Sequence, residues 1–253
     1  MNTSSKMKSA AENFFLDCDA MILCGGLGTR LRPVIGDAQK VLAPVLDTPF
    51  LGILTNNLIT VGFRHFIFCT GYQKDAVRSF IEERFFGLPD ISYEFSEEDE
   101  PLGTGGAVKK AFSLVRGVRA LVANGDTFIR LDFPAFFERH KETGAVLTIA
   151  LARSEREDGG TVSLDSEARL VAFKEKQSPS PSSYINAGVY IMGKGIERFF
   201  PDAEKFSLEE DVFPLAARAR VSGGFVTNGA LLDIGTPERY KSAGDFFSEE
   251  RTV

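Results

Sequence analysis

The stretch Ala20-Met21-Ile22-Leu23-Cys24-Gly25-Gly26-Leu27-Gly28-Thr29-Arg30-Leu31-Arg32-Pro33 decides how this chain is read. Five apolar residues ending in glycine predict a strand over 20–24, buried on both faces and opening into a loop whose backbone a ligand can approach. Gly25, Gly26 and Gly28 have no Cβ, so successive N–H groups can curl around phosphate oxygens, and Arg30 and Arg32 add charge-assisted hydrogen bonds. An anion, phosphate above all, fits such a loop. It is not a Walker A loop, because Thr29-Arg30 follows Gly28 where lysine and a hydroxyl residue would be needed. Nor is it a dinucleotide fingerprint: Leu31 takes the place of the third glycine, and the next apolar run, 65–69, leads into Thr70-Gly71-Tyr72 without the acid that would hold a ribose.

The chain has 253 residues with 43% hydrophobic and 25% charged side chains. That size approaches the limit of one hydrophobic core, so the expectation is an N-terminal extension, 1–17, either a disordered tail or an added helix with Phe14, Phe15 and Leu16 docking, followed by one domain, 18–253. A net charge of −6 argues against a general nucleic-acid binder. No apolar run nears the roughly 20 residues that cross a bilayer, and 1–17 lacks a signal-peptide pattern, so no membrane association and a cytoplasmic location are expected. Cys18, Cys24 and Cys69 cannot all pair, and two lie in apolar runs where a free thiol packs as a small hydrophobe. His65 and His140 stand far from any cysteine pair, so carboxylates must hold any metal.

From residue 20 strands near 20–24, 65–69, 91–95 and 118–123 alternate with helices near 50–61, 74–84 and 104–115, which predicts parallel pairing with right-handed crossovers. Beyond 145 the segments 146–152, 160–164, 170–174 and 184–191 read as strands joined by turns, with 178–183 a flexible loop and helices near 208–219 and 237–247. That half is expected to be antiparallel or mixed. Asp126 sits where the apolar run 120–123 ends, the place where open α/β sheets bind ligands. Asp233 is set in Leu231-Leu232-Asp233-Ile234-Gly235, and a carboxylate in apolar surroundings is costly unless paired or bound to a metal. The second glycine loop, Pro101-Leu102-Gly103-Thr104-Gly105-Gly106-Ala107, offers flat backbone to a nucleobase, or a helix start capped by Thr104. The acidic run 97–100 before it reads as a solvated loop.

These motifs, with Lys40, Ala43-Pro44-Val45, NGDT (124–127), FKEK (173–176), YINAGVYI (184–191), FSLEEDVFP (206–214) and LLDIGTPERY (231–240), occur in the order found in sugar-1-phosphate nucleotidyltransferases, which the chain resembles over most of its length. The resemblance implies a Rossmann-like three-layer α/β fold with a mixed, mostly parallel central sheet and a smaller antiparallel sugar-binding part. Its nucleotide half would be about 18–145 and its sugar-phosphate half about 146–253, with no C-terminal β-helix and room for a homo-oligomer. The implied reaction is attack by a sugar 1-phosphate on the α-phosphorus of a nucleoside triphosphate, which needs cations, a metal and alignment rather than a protein nucleophile.

The resemblance implies a triphosphate wrapped by Leu23, Gly25, Gly26, Gly28 and Thr29, Arg30 on the leaving pyrophosphate, and Lys40 near the reacting phosphorus. Similar sequences place that lysine in Pro-Lys-Pro; here it is Gln39-Lys40-Val41. Asp126 and Asp233 would chelate Mg²⁺, with Gly125 beside them, and Gly71, Gly103 and Thr104 would face the base. Glu175, Lys176, Asn186 and Gly188 would hold the sugar and its phosphate. The substrates expected are GTP and a heptose 1-phosphate. Guanylyl transfer to mannose 1-phosphate, uridylyl or thymidylyl transfer to a hexose 1-phosphate, and a non-catalytic sugar-nucleotide binder are the alternatives.

Overall fold

The structure, a computed structural model, describes Phe15 and residues 17–153, 160–174 and 184–248. Strand β1 (Cys18–Leu23) runs into the glycine loop, then the single turn α1 (Arg32–Ile35), a 3₁₀ turn (Lys40–Leu42) and the ribbon β2 (Pro44–Val45) and β3 (Thr48–Pro49). Next come α2 (Phe50–Val61), β4 (His65–Thr70), α3 (Lys74–Phe85), β5 (Ser92–Glu97), α4 (Gly103–Ala111), β6 (Arg119–Asn124), β7 (Thr127–Ile129) and α5 (Phe133–Thr143). The remainder is β8 (Leu147–Ala152), β9 (Thr161–Leu164), β10 (Leu170–Lys174), β11 (Tyr184–Gly193), a π turn (Leu208–Val212), α6 (Phe213–Arg218), β12 (Ser222–Thr227), β13 (Leu231–Asp233) and α7 (Pro237–Ser248).

Nine strands form one mixed sheet whose main path is β10-β9-β11-β6-β1-β4-β5. The stretch β6-β1-β4-β5 is parallel throughout. Strand β11 joins it antiparallel to β6 and also pairs antiparallel with β8 and β9, while β12 lies parallel to β8. Alternate residues divide between two cores, one per face, as strand geometry requires. Ala20, Ile22, Phe66, Phe68, Leu121 and Ala123 pack with α2, α3, α5 and α7. Met21, Ile67, Cys69, Ala120 and Val122 pack with α4 and α6. The α/β sandwich with a mostly parallel centre is therefore the fold, and continuous apolar runs such as 20–24 follow from burial on both faces.

Three differences from expectation have clear causes. The segment 208–219 is not one helix: a π turn precedes α6, with the Phe213 amide reaching back to the Leu208 carbonyl, and Pro214, which has no N–H, stands where a continuous ladder would need a donor. Helix α5 was unassigned, although Asp132 caps it through Ala135 N at 3.0 Å and Phe133, Phe136, Phe137 and His140 form its buried stripe. Strand β12 is masked in sequence by Gly223 and Gly224, and a Cβ on Gly224 would lie 2.7 Å from both Leu151 Cδ1 and Leu164 Cδ2. Of the extension, Phe15 is buried edge-on against Phe63 and Phe137, at 5.4 and 5.1 Å between ring centroids. Phe14 and Leu16 lie outside the described residues.

Candidate active site

Because β1, β4 and β6 are parallel and in register, their C-terminal ends, Leu23, Cys69 and Asn124, emerge side by side. A cavity of about 310 Å³ opens there, lined by Leu23, Gly25, Gly26, Lys40, Gly103, Thr104 and Asp126 among others. Five segments distant in sequence thus meet at one sheet edge.

The glycine loop is shaped by close approach. Gly28 has φ +59°, and a Cβ there would stand 3.1 Å from the Lys40 Cβ, so the missing methyl admits both a left-handed turn and the lysine stem. A Cβ on Gly26 would meet nothing within 4 Å, leaving that backbone open. Gly25 and Gly71 abut: the Tyr72 amide donates to the Gly25 carbonyl at 3.4 Å. Thr29 and Arg30 are exposed. Arg32, expected to serve phosphate with Arg30, stacks over the Tyr72 ring at 5.1 Å.

The acids gather by a different device. Strands β7 and β13 form a small antiparallel ribbon pairing Thr127 with Asp233. The Ile234 amide donates to the Asp126 carbonyl at 3.0 Å, so both aspartates reach the same end of the ribbon. Asp126 is ion-paired with Lys40. Asp233 accepts from Gly235 N at 2.6 Å and pairs with Arg239 Nη1 at 2.5 Å. The Arg30 guanidinium overlies Gly235, where a Cβ would sit 3.6 Å from its Nη2. Two carboxylates at one end of the ribbon are hard oxygen donors of the kind a divalent ion takes, each of them now engaged by a cation, Lys40 or Arg239. Among the described residues no three His, Cys, Asp or Glu converge on one metal, so phosphate oxygens and water would complete its shell.

The second loop is built for packing as much as for a base. Thr104 is no helix cap: α4 begins at Gly103, and the Thr104 hydroxyl donates to Glu209 Oε2 at 2.6 Å while accepting from Leu208 N at 2.9 Å. Cβ atoms on Gly105 and Gly106 would strike the Phe206 ring and the Glu204 carbonyl. On the far side β11 is bulged between Asn186 and Tyr190, with Gly188 at φ +71° against Asn124. The Asn186 amide is oriented by its own bulge, accepting from Gly188 N and donating to the Tyr190 hydroxyl. Glu175 and Lys176 lie outside the described residues.

The pattern of the nucleotidyl transferase family matches residues 19–250. The chain belongs to this family. D-glycero-alpha-D-manno-heptose 1-phosphate guanylyltransferase of Aneurinibacillus thermoaerophilus is 39% identical over 89% of this chain and 96% of its own length. Mannose-1-phosphate guanylyltransferase of Mycobacterium tuberculosis is 34% identical over 88% of this chain, which spans 62% of that protein. The crystal structure of HddC from Yersinia pseudotuberculosis complexed with GMP-PN superposes with a TM-score of 0.76, at 33% identity, over 91% of this chain and 99% of that one.

Sequence reasoning missed four residues that the structure places at or beside this cavity of the nucleotidyl transferase chain. Glu98, expected in a solvated loop, is 8% exposed and lines the cavity. Its Oε2 accepts from Leu102 N at 2.9 Å, and its Oε1 stands 3.1 Å from where a Gly25 Cβ would be. Burial pushes this carboxyl above the usual range, against the Leu102 hydrogen bond. Asn124 lines the same cavity with a buried Oδ1 that has no partner among the described residues. Gln39 and Arg239 hold the glycine loop and Asp233 respectively. Gln39 reaches Cys24 and Tyr72, 15 and 33 positions away, which no local pattern shows, whereas Arg239 lies six residues from Asp233 and Glu98 four from Leu102, a spacing that was a usable signal. No helix among the described residues is long and apolar enough to cross a membrane.

Proposed function

We propose that this enzyme transfers GMP from GTP to D-glycero-α-D-manno-heptose 1-phosphate, releasing pyrophosphate and forming a GDP-sugar for surface glycan synthesis. Glu98 carries the choice of base. Guanine presents two adjacent donors, N1–H and the 2-amino group, which a buried carboxylate accepts together. Uracil and thymine present one imide N–H between carbonyls that a carboxylate repels, and adenine and cytosine present a donor beside an acceptor.

In this reading the Gly25–Gly28 backbone cradles the triphosphate and Arg30 neutralises the leaving pyrophosphate. Lys40 draws the phosphates toward the ribbon that carries Asp126. Asp126 and Asp233 would hold Mg²⁺, which supplies charge neutralisation across the phosphates. Asn186 and the Gly188 bulge orient the sugar, with Glu175 and Lys176 on its hydroxyls and phosphate. No residue forms a covalent intermediate; positioning two anions in line is the work. A cytoplasmic location follows from the nucleoside triphosphate pool such an enzyme draws on.

A pyrophosphate-release assay with Mg²⁺, crossing GTP, UTP, dTTP, CTP and ATP with heptose, mannose and glucose 1-phosphates, tests this. GTP with the heptose phosphate should give the highest kcat/KM. Release with UTP or dTTP but not GTP removes the guanylyl assignment, preference for mannose 1-phosphate moves the acceptor, and silence with every pair removes the enzyme.

A further inference from the structure

We propose that Gln39 is the positioning residue of the triphosphate loop, a side-chain clamp that aims the loop's amides and seats Lys40. Gln39 is 2% exposed, and its carboxamide is used in full. The two hydrogens of Nε2 are shared among the carbonyls of Cys24 at 2.6 Å, Tyr72 at 3.0 Å and Gly26 at 3.3 Å. Oε1 accepts from Val41 N at 3.3 Å, which caps the 3₁₀ turn that begins with Lys40. One buried amide therefore ties together the end of β1, the loop after β4 and the turn bearing the lysine.

The consequence for the ligand follows from peptide geometry. The carbonyl and amide of one trans peptide unit point in opposite directions. Holding the Cys24 and Gly26 carbonyls on Gln39 turns the N–H groups of Gly25 and Leu27 the other way, and neither donates to an acceptor among the described residues. The same hydrogen bonds keep two carbonyl oxygens, which would repel an anion, off the phosphate side. The backbone of Gln39, φ −66° and ψ 128°, is one that proline also adopts.

The proposal rests on the triphosphate reading of the loop, so its test carries one readout that needs no turnover. Gln39→Leu keeps bulk and removes every hydrogen bond; Gln39→Asn keeps the amide but is one methylene too short for all three carbonyls. Amide hydrogen exchange of the ligand-free protein should quicken at Leu31, Leu42, Ala43 and Tyr72, whose N–H groups donate to the carbonyls of Gly28, Gln39, Lys40 and Gly25, while β4 and β6 keep wild-type protection. In steady state the KM for the triphosphate should rise about tenfold in Gln39→Leu and less in Gln39→Asn, with the KM for the sugar phosphate within twofold, since the clamp acts on the triphosphate loop alone. Unchanged exchange at Leu31, Leu42, Ala43 and Tyr72, or equal rises in both KM values with protection lost everywhere, overturns the proposal. Should Gln39→Leu fail to fold, Gln39→Asn decides by the same measures. Should the wild type release no pyrophosphate with any substrate pair, the functional reading falls and the exchange result still judges the clamp.

Discussion

Lys40 donates to Asp126 across 86 residues of sequence, and this ion pair joins the 3₁₀ turn that follows the glycine loop to the ribbon that brings Asp126 and Asp233 together. The two groups have a second relationship, because the lysine holds the oxygen a metal would need. Lys40→Met is expected to lower kcat by about 10²- to 10³-fold through lost charge stabilisation. Mn²⁺ titration of the nucleotide-free variant, followed by electron paramagnetic resonance, should show metal binding at least as tight as in the wild type. Weaker metal binding would mean that the lysine helps to build the metal site rather than competing for it.

Asp233 is held by Gly235 N and Arg239, so its carboxylate is oriented before any ligand arrives. Asp233→Asn preserves shape and should leave the circular dichroism spectrum and Tm close to wild type, while turnover falls by orders of magnitude. Near-normal rates at saturating Mg²⁺ would take this aspartate out of the metal site.

For Glu98, burial raises the carboxyl's pKa, so the acceptor form that guanine requires is lost on acidification earlier than for an ordinary glutamate. The kcat/KM for GTP should therefore decline toward low pH from above the usual carboxylate range. Glu98→Gln should cost about 1–3 kcal/mol of discrimination for GTP over UTP and flatten that acid limb. An unaltered nucleotide preference would place the base elsewhere.

Gly106 lies buried within α4, where alanine would ordinarily gain about 1 kcal/mol of helix propensity. Here a Cβ would meet the Glu204 carbonyl oxygen at 2.1 Å and Leu102 Cβ at 2.8 Å. Overpacking against backbone costs about 1–3 kcal/mol, which exceeds that gain. Gly106→Ala should lower Tm in thermal denaturation; a raised Tm would show that residues 204–206 yield freely.

His140 is buried against the Thr148 hydroxyl at 2.8 Å, and burial with the charge of Arg119 pushes its pKa down to about 4. The unfolded chain binds this proton below its ordinary value of 6.5, so stability should fall as pH drops from 6.5 toward 4, by about 3 kcal/mol in all. Urea unfolding of His140→Gln between these pH values should show a shallower slope than the wild type.

Much of the fold was legible because its signals are local. Runs such as 20–24 and 65–69 must be strands buried on both faces, and the helices at 50–61 and 74–85 announce themselves by length and spacing. Elements with weak local signals escaped: β7 and β13 have three residues each, and β12 carries paired glycines whose purpose is a neighbour's side chain.

The sequence by itself determined the kind of ligand and the residue types that meet it, since a glycine loop with arginines after a buried strand admits few chemistries besides phosphate binding. Only the tertiary structure decided which side chains are free to act. Glu98 became a cavity wall because Gly25 and Gly71 leave it room, Arg32 was drawn onto Tyr72, and Gln39 was made a clamp by three carbonyls from two other loops. Asp126 and Asp233, 107 positions apart, met because β7 and β13 pair. The physical reason is common to all: burial and hydrogen bonding depend on what the fold brings within 3 or 4 Å, and separation along the chain carries no record of it.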